Sequence, residues 1–494
     1  LFSPTAALWG ALALATMLMF NVASRAATPD GLLIFFITAT LAAFVYAHDW
    51  RADSDSSPSQ KLSYPMAALV YLAASGAILT KGPVGVLLPL AAVGAYLMAL
   101  GYQVPARTER TWKSLLAVGG SLLWQTPKRF WIALWRLRPL LGAAILLAVA
   151  APWYIWVGIR TQGYWTNGFF FEHNLQRFND SMEGHSGSIL YYPVALLIGS
   201  FPWSVLLIPI GLQLRQGKLA ADRRPLLFCA CWIGVIVGLF SLAQTKLPSY
   251  ITPCYPAVAL IVGWFFARVE KDVAVAPIRW LQASGAVLLV AGVALLIALP
   301  IVASLFAPRD LWLGVLGLAP LLGGVGLIYA ARKRPDWAPP ALACSAAATM
   351  LGLFAVAADR VDSYRRHEEL LTAIEASDSS RPIAAWNVLE PSWVFYSGRT
   401  LEVVESAPLS RRVVQEKDAP TWRQETVETP EAFLRRCPEG VLVTARSIWE
   451  KEKEKWSDQL IEVAHAPYFL KKDELVALQA RAVVAKKQKS ETRR

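Results

Sequence analysis

Charge is scarce in this chain: Asp, Glu, Lys and Arg make up 17% of 494 residues, against 55% hydrophobic ones. Such a balance excludes an ordinary soluble domain. Cysteine is scarce as well. Cys229, Cys231, Cys254 and Cys344 fall in apolar runs and Cys437 stands alone, so the spacings provide neither a disulfide framework nor a cysteine metal site. There is no Gly-rich loop ending in Gly-Lys-Ser/Thr, which removes that route to nucleotide phosphates, and no internal repeat. An initiator Met and a signal-peptide pattern are also missing. A span starts within a few residues of Leu1, and from this we expect that an N-terminal portion has been lost.

What the chain has instead is about eleven apolar stretches, near 5–22, 31–47, 65–80, 83–101, 140–158, 190–210, 226–243, 250–267, 283–305, 311–330 and 338–357. A helix needs roughly 20 apolar residues to cross the hydrocarbon core, so these predict a polytopic all-α membrane protein. Every second connection is basic. Segment 102–139 carries Arg107, Arg110, Lys113, Lys128, Arg129, Arg136 and Arg138 against one acid, Glu109, which predicts a cytoplasmic location. Its Trp112, Trp124, Trp131 and Trp135 predict helices lying in the interface. The net charge of +12 is thus assigned to inner loops and a basic tail, with anionic lipid headgroups rather than nucleic acid as partner.

The same parity places residues 22–30, 81–83, 159–189, 244–249 and 306–310, and everything after 357, on the outer side. In a bacterium this is the periplasmic face of the inner membrane. Thr80-Lys-Gly-Pro83 reads as a tight hairpin whose Lys81 sits at the boundary, where a charge either snorkels or takes a partner such as phosphate. Lys246, in Gln244-Thr-Lys-Leu-Pro-Ser-Tyr250, repeats the theme, and Arg25 supplies a third outer cation. Asp30, just after Pro29, reads first as a helix cap.

The longest outer connection holds Glu172 and His173, with Arg177 four residues after the His and so on the same helical face. Its aromatic residues suit interfacial packing. The Glu-His-Arg constellation beside loop lysines also suits a lipid-phosphate or pyrophosphate group, with Arg177 binding bidentately and His173 or Glu172 able to hold a divalent metal ion.

The strings Ile78-Leu-Thr-Lys-Gly-Pro83, Pro152-Trp-Tyr154, Phe170-Phe-Glu-His-Asn-Leu-Gln-Arg-Phe178, Gly199-Ser-Phe-Pro-Trp203 and Lys246-Leu-Pro-Ser-Tyr-Ile-Thr-Pro253 follow the order and spacing of bacterial polyprenyl-phosphate-sugar glycosyltransferases. The chain resembles the aminoarabinose lipid A transferases, kin to protein O-mannosyltransferases. The resemblance covers about 5–267 and extends more loosely to 357.

It implies a GT-C architecture, which has thirteen spans in the family, with a periplasmic C-terminal domain. It implies transfer of a sugar, by inverting displacement, from a polyprenyl phosphate to lipid A, envelope glycan or protein, without a nucleotide cofactor. By the same resemblance Arg177 is a carrier-phosphate ligand, Lys81, Lys246 and Arg25 line the same outer cavity, and Glu172 or His173 takes the metal-binding or cavity-lining position. By the resemblance, the family's acidic residue taken as the catalytic base lies in a first periplasmic loop that has no counterpart here. No catalytic base can therefore be named, and these 494 residues alone are expected to be inactive.

Segments 382–388, 393–396, 401–404 and 440–444 predict short strands, and 364–376, 429–437 and 446–456 predict helices. The expected organisation is a membrane domain over 1–357, a small α/β domain over 358–484 and a basic disordered tail over 485–494. The alternative function is a transporter or flippase of lipid-linked sugars, which predicts polar or Gly/Pro-broken helices at mid-membrane.

Overall fold

The computed structural model describes residues 1–48, 50, 61–101, 112–170, 187–215, 222–271, 278–364, 370, 372, 382–388, 393–394, 398, 401–406, 428–468, 471 and 473–485. The chain divides into two units, residues 1–297 with 314–353, and residues 298–313 with 354–494. The division thus falls a few residues before the expected boundary at 357, and the second unit also takes in 298–313.

Each expected apolar stretch is helical. The first unit opens with α1 (Pro4–Ala15), α2 (Leu18–Arg25), α3 (Asp30–Ala47), α4 (Tyr64–Lys81), α5 (Val84–Gly101), α6 (Trp112–Arg136) and α7 (Pro139–Arg160). Seven helices among the described residues are long and apolar enough to cross a membrane. The bent pairs α1–α2 and Tyr191–Gly199 with Trp203–Arg215 raise this to nine. Helices α4 and α5, joined at Gly82 and Pro83, fill the other two stretches. Leu32, Phe35, Leu147 and Val290 point outward from these helices, which a bilayer tolerates and water does not.

Two expected spans are not straight. The 190–210 stretch turns by 108° between Gly199 and Trp203, because Pro202 offers no N–H to continue the helix. Gly199 lies against the Tyr255 hydroxyl, which would stand 1.9 Å from a Cβ there. Buried Trp203 donates its indole N–H to Thr16 Oγ1 at 2.9 Å. That bond ties this turn to the 63° bend between α1 and α2, where the buried Asn21 amide donates to the carbonyls of Ala15 (2.8 Å) and Met17 (2.9 Å).

The centre of the unit is the Pro248–Lys271 segment, which contains an 18-residue stretch with 78% of its residues buried. Helix α1 crosses it at small residues, with Gly10 against the Ala259 carbonyl and Gly263 against the Ala6 carbonyl. Such contacts let backbones approach closely where lipid supplies no hydrophobic drive.

The second unit holds a five-stranded sheet in the order β2-β1-β3-β5-β4, with β1 (Ile383–Trp386), β2 (Glu402–Val404), β3 (Val441–Ala445), β4 (Leu460–Tyr468) and β5 (Asp473–Ala480). β1 runs parallel to β2 and β3, whereas β5 pairs antiparallel with β3 and β4. Trp386, Trp449 and Trp456 fill one side of it. The Pro430–Arg436 and Arg446–Trp456 helices lie where expected.

Trp393 and Val394 are helical rather than strand, and Trp393 is buried by its aromatic bulk in the other face of the core. β4 and β5 were not foreseen. β5 is buried along most of its length and β4 is a half-exposed edge, so neither shows a clean alternation. Residues 486–494, and most of the expected 364–376 helix, lie outside the described residues.

Candidate functional site

Lys81 is the last residue of α4. Gly82 follows with φ +77°, and its N–H donates to the Ile78 carbonyl at 2.7 Å, closing the helix. This left-handed position turns the chain into α5 and leaves the Lys81 ammonium at the helix end. Lys81 Nζ donates to Asp30 Oδ1, from the first turn of α3. The Lys81 side chain is 30% exposed and that of Asp30 only 8%.

Asp30 is therefore not the helix cap that its position suggested. No side-chain cap bond is made at this terminus, and the carboxylate instead meets a cation 51 residues away, because an unpaired charge so deeply buried is costly. Thr28 Oγ1 donates to its second oxygen at 3.3 Å. The Tyr250 ring lies 5.5 Å from the Lys81 ammonium, a cation–π distance.

Lys246 is buried, 5% exposed. Its three N–H groups donate to the carbonyls of Phe240 (3.1 Å), Ser241 (2.7 Å) and Ala243 (2.6 Å). These are end carbonyls of the Arg223–Leu242 helix, which have no partner within it. As placed, Lys246 is a helix cap, and a phosphate would have to displace one of these carbonyls to reach it. Loss of water pulls its pKa below the ordinary lysine value.

The neighbouring Leu247 N–H donates to the buried Tyr192 hydroxyl at 3.2 Å. The Gly187 backbone lies close to the Lys246 stem, which would stand 3.1 Å from a Cβ at that position. Tyr192 and Tyr250 both pack on Phe240, with ring centroids at 6.2 Å and 5.2 Å. An aromatic row thus links the surroundings of Lys246 and Lys81.

Arg25 ends α2 and donates to Asn21 Oδ1, the same Asn21 that holds the α1–α2 bend. The long connection after α7 begins on an aromatic base. The Tyr154 hydroxyl donates to the Ile78 carbonyl at 2.8 Å, Trp165 stacks on Phe169 at 4.7 Å, and Phe170 packs on Tyr154 at 5.3 Å. Glu172, His173 and Arg177 follow directly in sequence and lie outside the described residues. Among the described residues no three His, Cys, Asp or Glu side chains gather as a metal site.

The structure thus brings Lys81 and Asp30 together, turns Lys246 into a cap and fixes Arg25 through Asn21. Sequence reasoning missed the Asp30–Lys81 pair and the roles of Asn21 and Tyr192. Only the recurrence of Tyr250 and Tyr154 in the quoted strings hinted at the aromatic framework.

A bundle of bent and straight apolar helices carrying charge at helix ends, followed by a small α/β unit, is the architecture of a GT-C membrane protein. ArnT from Cupriavidus metallidurans bound to undecaprenyl phosphate superposes with a TM-score of 0.71 at 20% identity, over 97% of this chain and 80% of that one. Its apo state gives 0.69 at 21% identity, over 97% and 79%.

Residues 1–166 match the family described as dolichyl-phosphate-mannose-protein mannosyltransferase. The undecaprenyl phosphate-alpha-4-amino-4-deoxy-L-arabinose arabinosyl transferase of Erwinia tasmaniensis is 26% identical over 381 residues, covering 75% of this chain and 61% of that protein. A Pseudomonas fluorescens transferase of the same description is 33% identical over 280 residues, 51% and 49% of the two chains. The matched part spans less than two thirds of these curated relatives. The matches bear out the resemblance drawn from the motifs.

Proposed function

We propose that this chain carries the membrane core of a glycosyltransferase that moves a sugar from a polyprenyl-phosphate donor to a lipid or glycan acceptor such as lipid A, or to protein. Its site would lie at the periplasmic boundary of the bacterial inner membrane, with the second unit periplasmic. The carrying observation is Lys81, an ammonium fixed at a helix end by a nearly buried carboxylate yet still partly open. The descriptions of the relatives name undecaprenyl phosphate as the sugar carrier, and such a carrier leaves as a phosphate.

Displacement at the anomeric carbon builds negative charge on that phosphate, and fixed cations lower the barrier by meeting it without reorganising. In this reading Arg177, Lys81 and Arg25 serve the leaving group. Lys246 serves it by holding the loop that presents Tyr250, and by direct contact only if a carbonyl is exchanged. The single displacement also needs an acidic base on the opposite face of the sugar, which no residue named here supplies. Glu172 and His173 are assigned to a divalent cation. Chelation should then abolish transfer, and full activity in excess chelator removes that assignment.

Among the described residues the two bent helix pairs favour a flippase. Their breaks, however, are closed by Trp203, Tyr255 and Asn21, and Arg25 reaches the α1–α2 bend only through Asn21. The test is sugar transfer in membranes carrying the protein, with Arg177→Ala and Lys81→Ala beside it. Loss of one phosphate donor should lower kcat/KM by about 10²-fold. Donor that crosses the bilayer without being consumed would overturn the reading.

A further inference from the structure

Helix α6 is unlike its neighbours in the first unit. It runs for 25 residues but is absent from the helices apolar enough to cross a membrane among the described residues. Trp124, Lys128, Trp131 and Trp135 recur at i, i+4, i+7 and i+11, which places them on one face of a 3.6-residue helix. That face is open: Trp124 is 88% exposed, Trp131 56% and Trp135 46%, and Lys128 is exposed. On the opposite side Ala133 and Leu137 are buried in the core formed with α3, α4 and α5.

Three large aromatic side chains on a free ridge have no solvent-facing rationale. Tryptophan with interspersed Lys and Arg is, however, the composition of a helix lying in the headgroup region. The depth fits as well, since α7 enters its apolar run directly after Leu137 and Arg138.

A second observation points to an anion. Arg136 Nε is buried with no hydrogen-bond partner. Burial, and then the nearby Arg129, push the Arg136 pKa down. Two guanidiniums that repel each other beside a Trp ridge make a seat that a phosphate diester would relieve.

We propose that α6 lies flat on the leaflet at the basic side of the protein, the cytoplasmic one in the proposed topology, with Trp124, Trp131 and Trp135 in the headgroup boundary and Lys128, Arg129 and Arg136 on anionic phospholipid phosphates. The occupant is the lipid surface itself, chosen by charge complementarity. The inference does not depend on the transfer chemistry, and its readout is not activity.

The whole protein is placed in nanodiscs of phosphatidylcholine, or of phosphatidylcholine with increasing phosphatidylglycerol, and its thermal midpoint and mass are measured. Phosphatidylglycerol should raise the midpoint. In Lys128→Glu/Arg129→Glu the concentration giving half of that rise should increase at least tenfold, whereas Lys128→Arg/Arg129→Lys should behave as the parent. If the charge reversal does not insert, Lys128→Gln/Arg129→Gln is read in the same way. An unchanged response in the neutral or reversed variant overturns the proposal. So does a parent dimer that Trp124→Ser/Trp131→Ser converts to monomer, since a second copy would then cover the ridge.

Discussion

At the scale of single residues, the Asp30–Lys81 pair and the Lys246 cap make opposite forecasts for substitutions that look alike. Lys81→Met leaves Asp30 buried without its cation and should destabilise by about 1–3 kcal/mol, less than for a fully buried pair because Lys81 is partly open. Asp30→Asn/Lys81→Met should recover part of that loss while still lacking donor affinity. A double-mutant cycle on thermal stability, run beside polyprenyl-phosphate binding, checks both halves.

Lys246→Met should cost a similar amount by freeing three carbonyls, yet shift the Kd for the lipid phosphate less than threefold. A tenfold loss there would make Lys246 a ligand after all. Lys81, Lys246 and Arg25 were legible as cations at the ends of apolar runs, because hydropathy and charge are local signals. What each cation touches was not legible. Asp30 is 51 positions from Lys81, and the carbonyls that occupy Lys246 are backbone atoms on which side-chain chemistry is silent.

At the scale of elements, helix-on-helix contact in the first unit rests on small residues. A Cβ on Gly263 would sit 2.1 Å from the Ala6 carbonyl oxygen, backbone that cannot yield without moving α1. Gly263→Leu should therefore cost at least about 1–3 kcal/mol, seen as a lower thermal midpoint, while Gly234→Leu on an open surface should be near neutral.

In the second unit Arg446 joins β4 to β5 through Glu462, at 2.8 and 3.1 Å, and through Glu474. The Arg446 hydrogen bonds hold the Glu462 carboxyl below the ordinary glutamate value. A depressed native pKa contributes stability above the unfolded value of about 4.3 and loses it as pH falls through the native one. Hydrogen exchange of the β4 and β5 amides, corrected for its intrinsic pH dependence, should show protection falling below about pH 4.3. Arg446→Met should flatten that dependence. Period and turn signals revealed three of the five strands. Of the other two, β5 is buried along most of its length and β4 is mixed, so neither shows the alternation that a sequence reading uses.

At the scale of the whole molecule, the bent Tyr191–Arg215 pair decides the topology. Helices α4 and α5 are joined by a tight turn, so crossing or not crossing together they leave the sidedness of all later segments unchanged. The 108° pair has no such immunity. If it crosses, Arg215, Arg223 and Arg224 face the cytoplasm as their charge requires, and the second unit lies outside. If it is re-entrant, those cations share a side with residues 159–189, and every later segment changes face. Ser188→Cys, Arg215→Cys and Ala485→Cys, each compared with the parent chain, separate the two cases with a membrane-impermeant thiol reagent. In intact inner-membrane spheroplasts the first and third should react and the second only after permeabilisation. Joint labelling of positions 188 and 215 would make the pair a re-entrant loop, and would place the sheet domain on the side where no polyprenyl-linked sugar is presented in the proposed reaction.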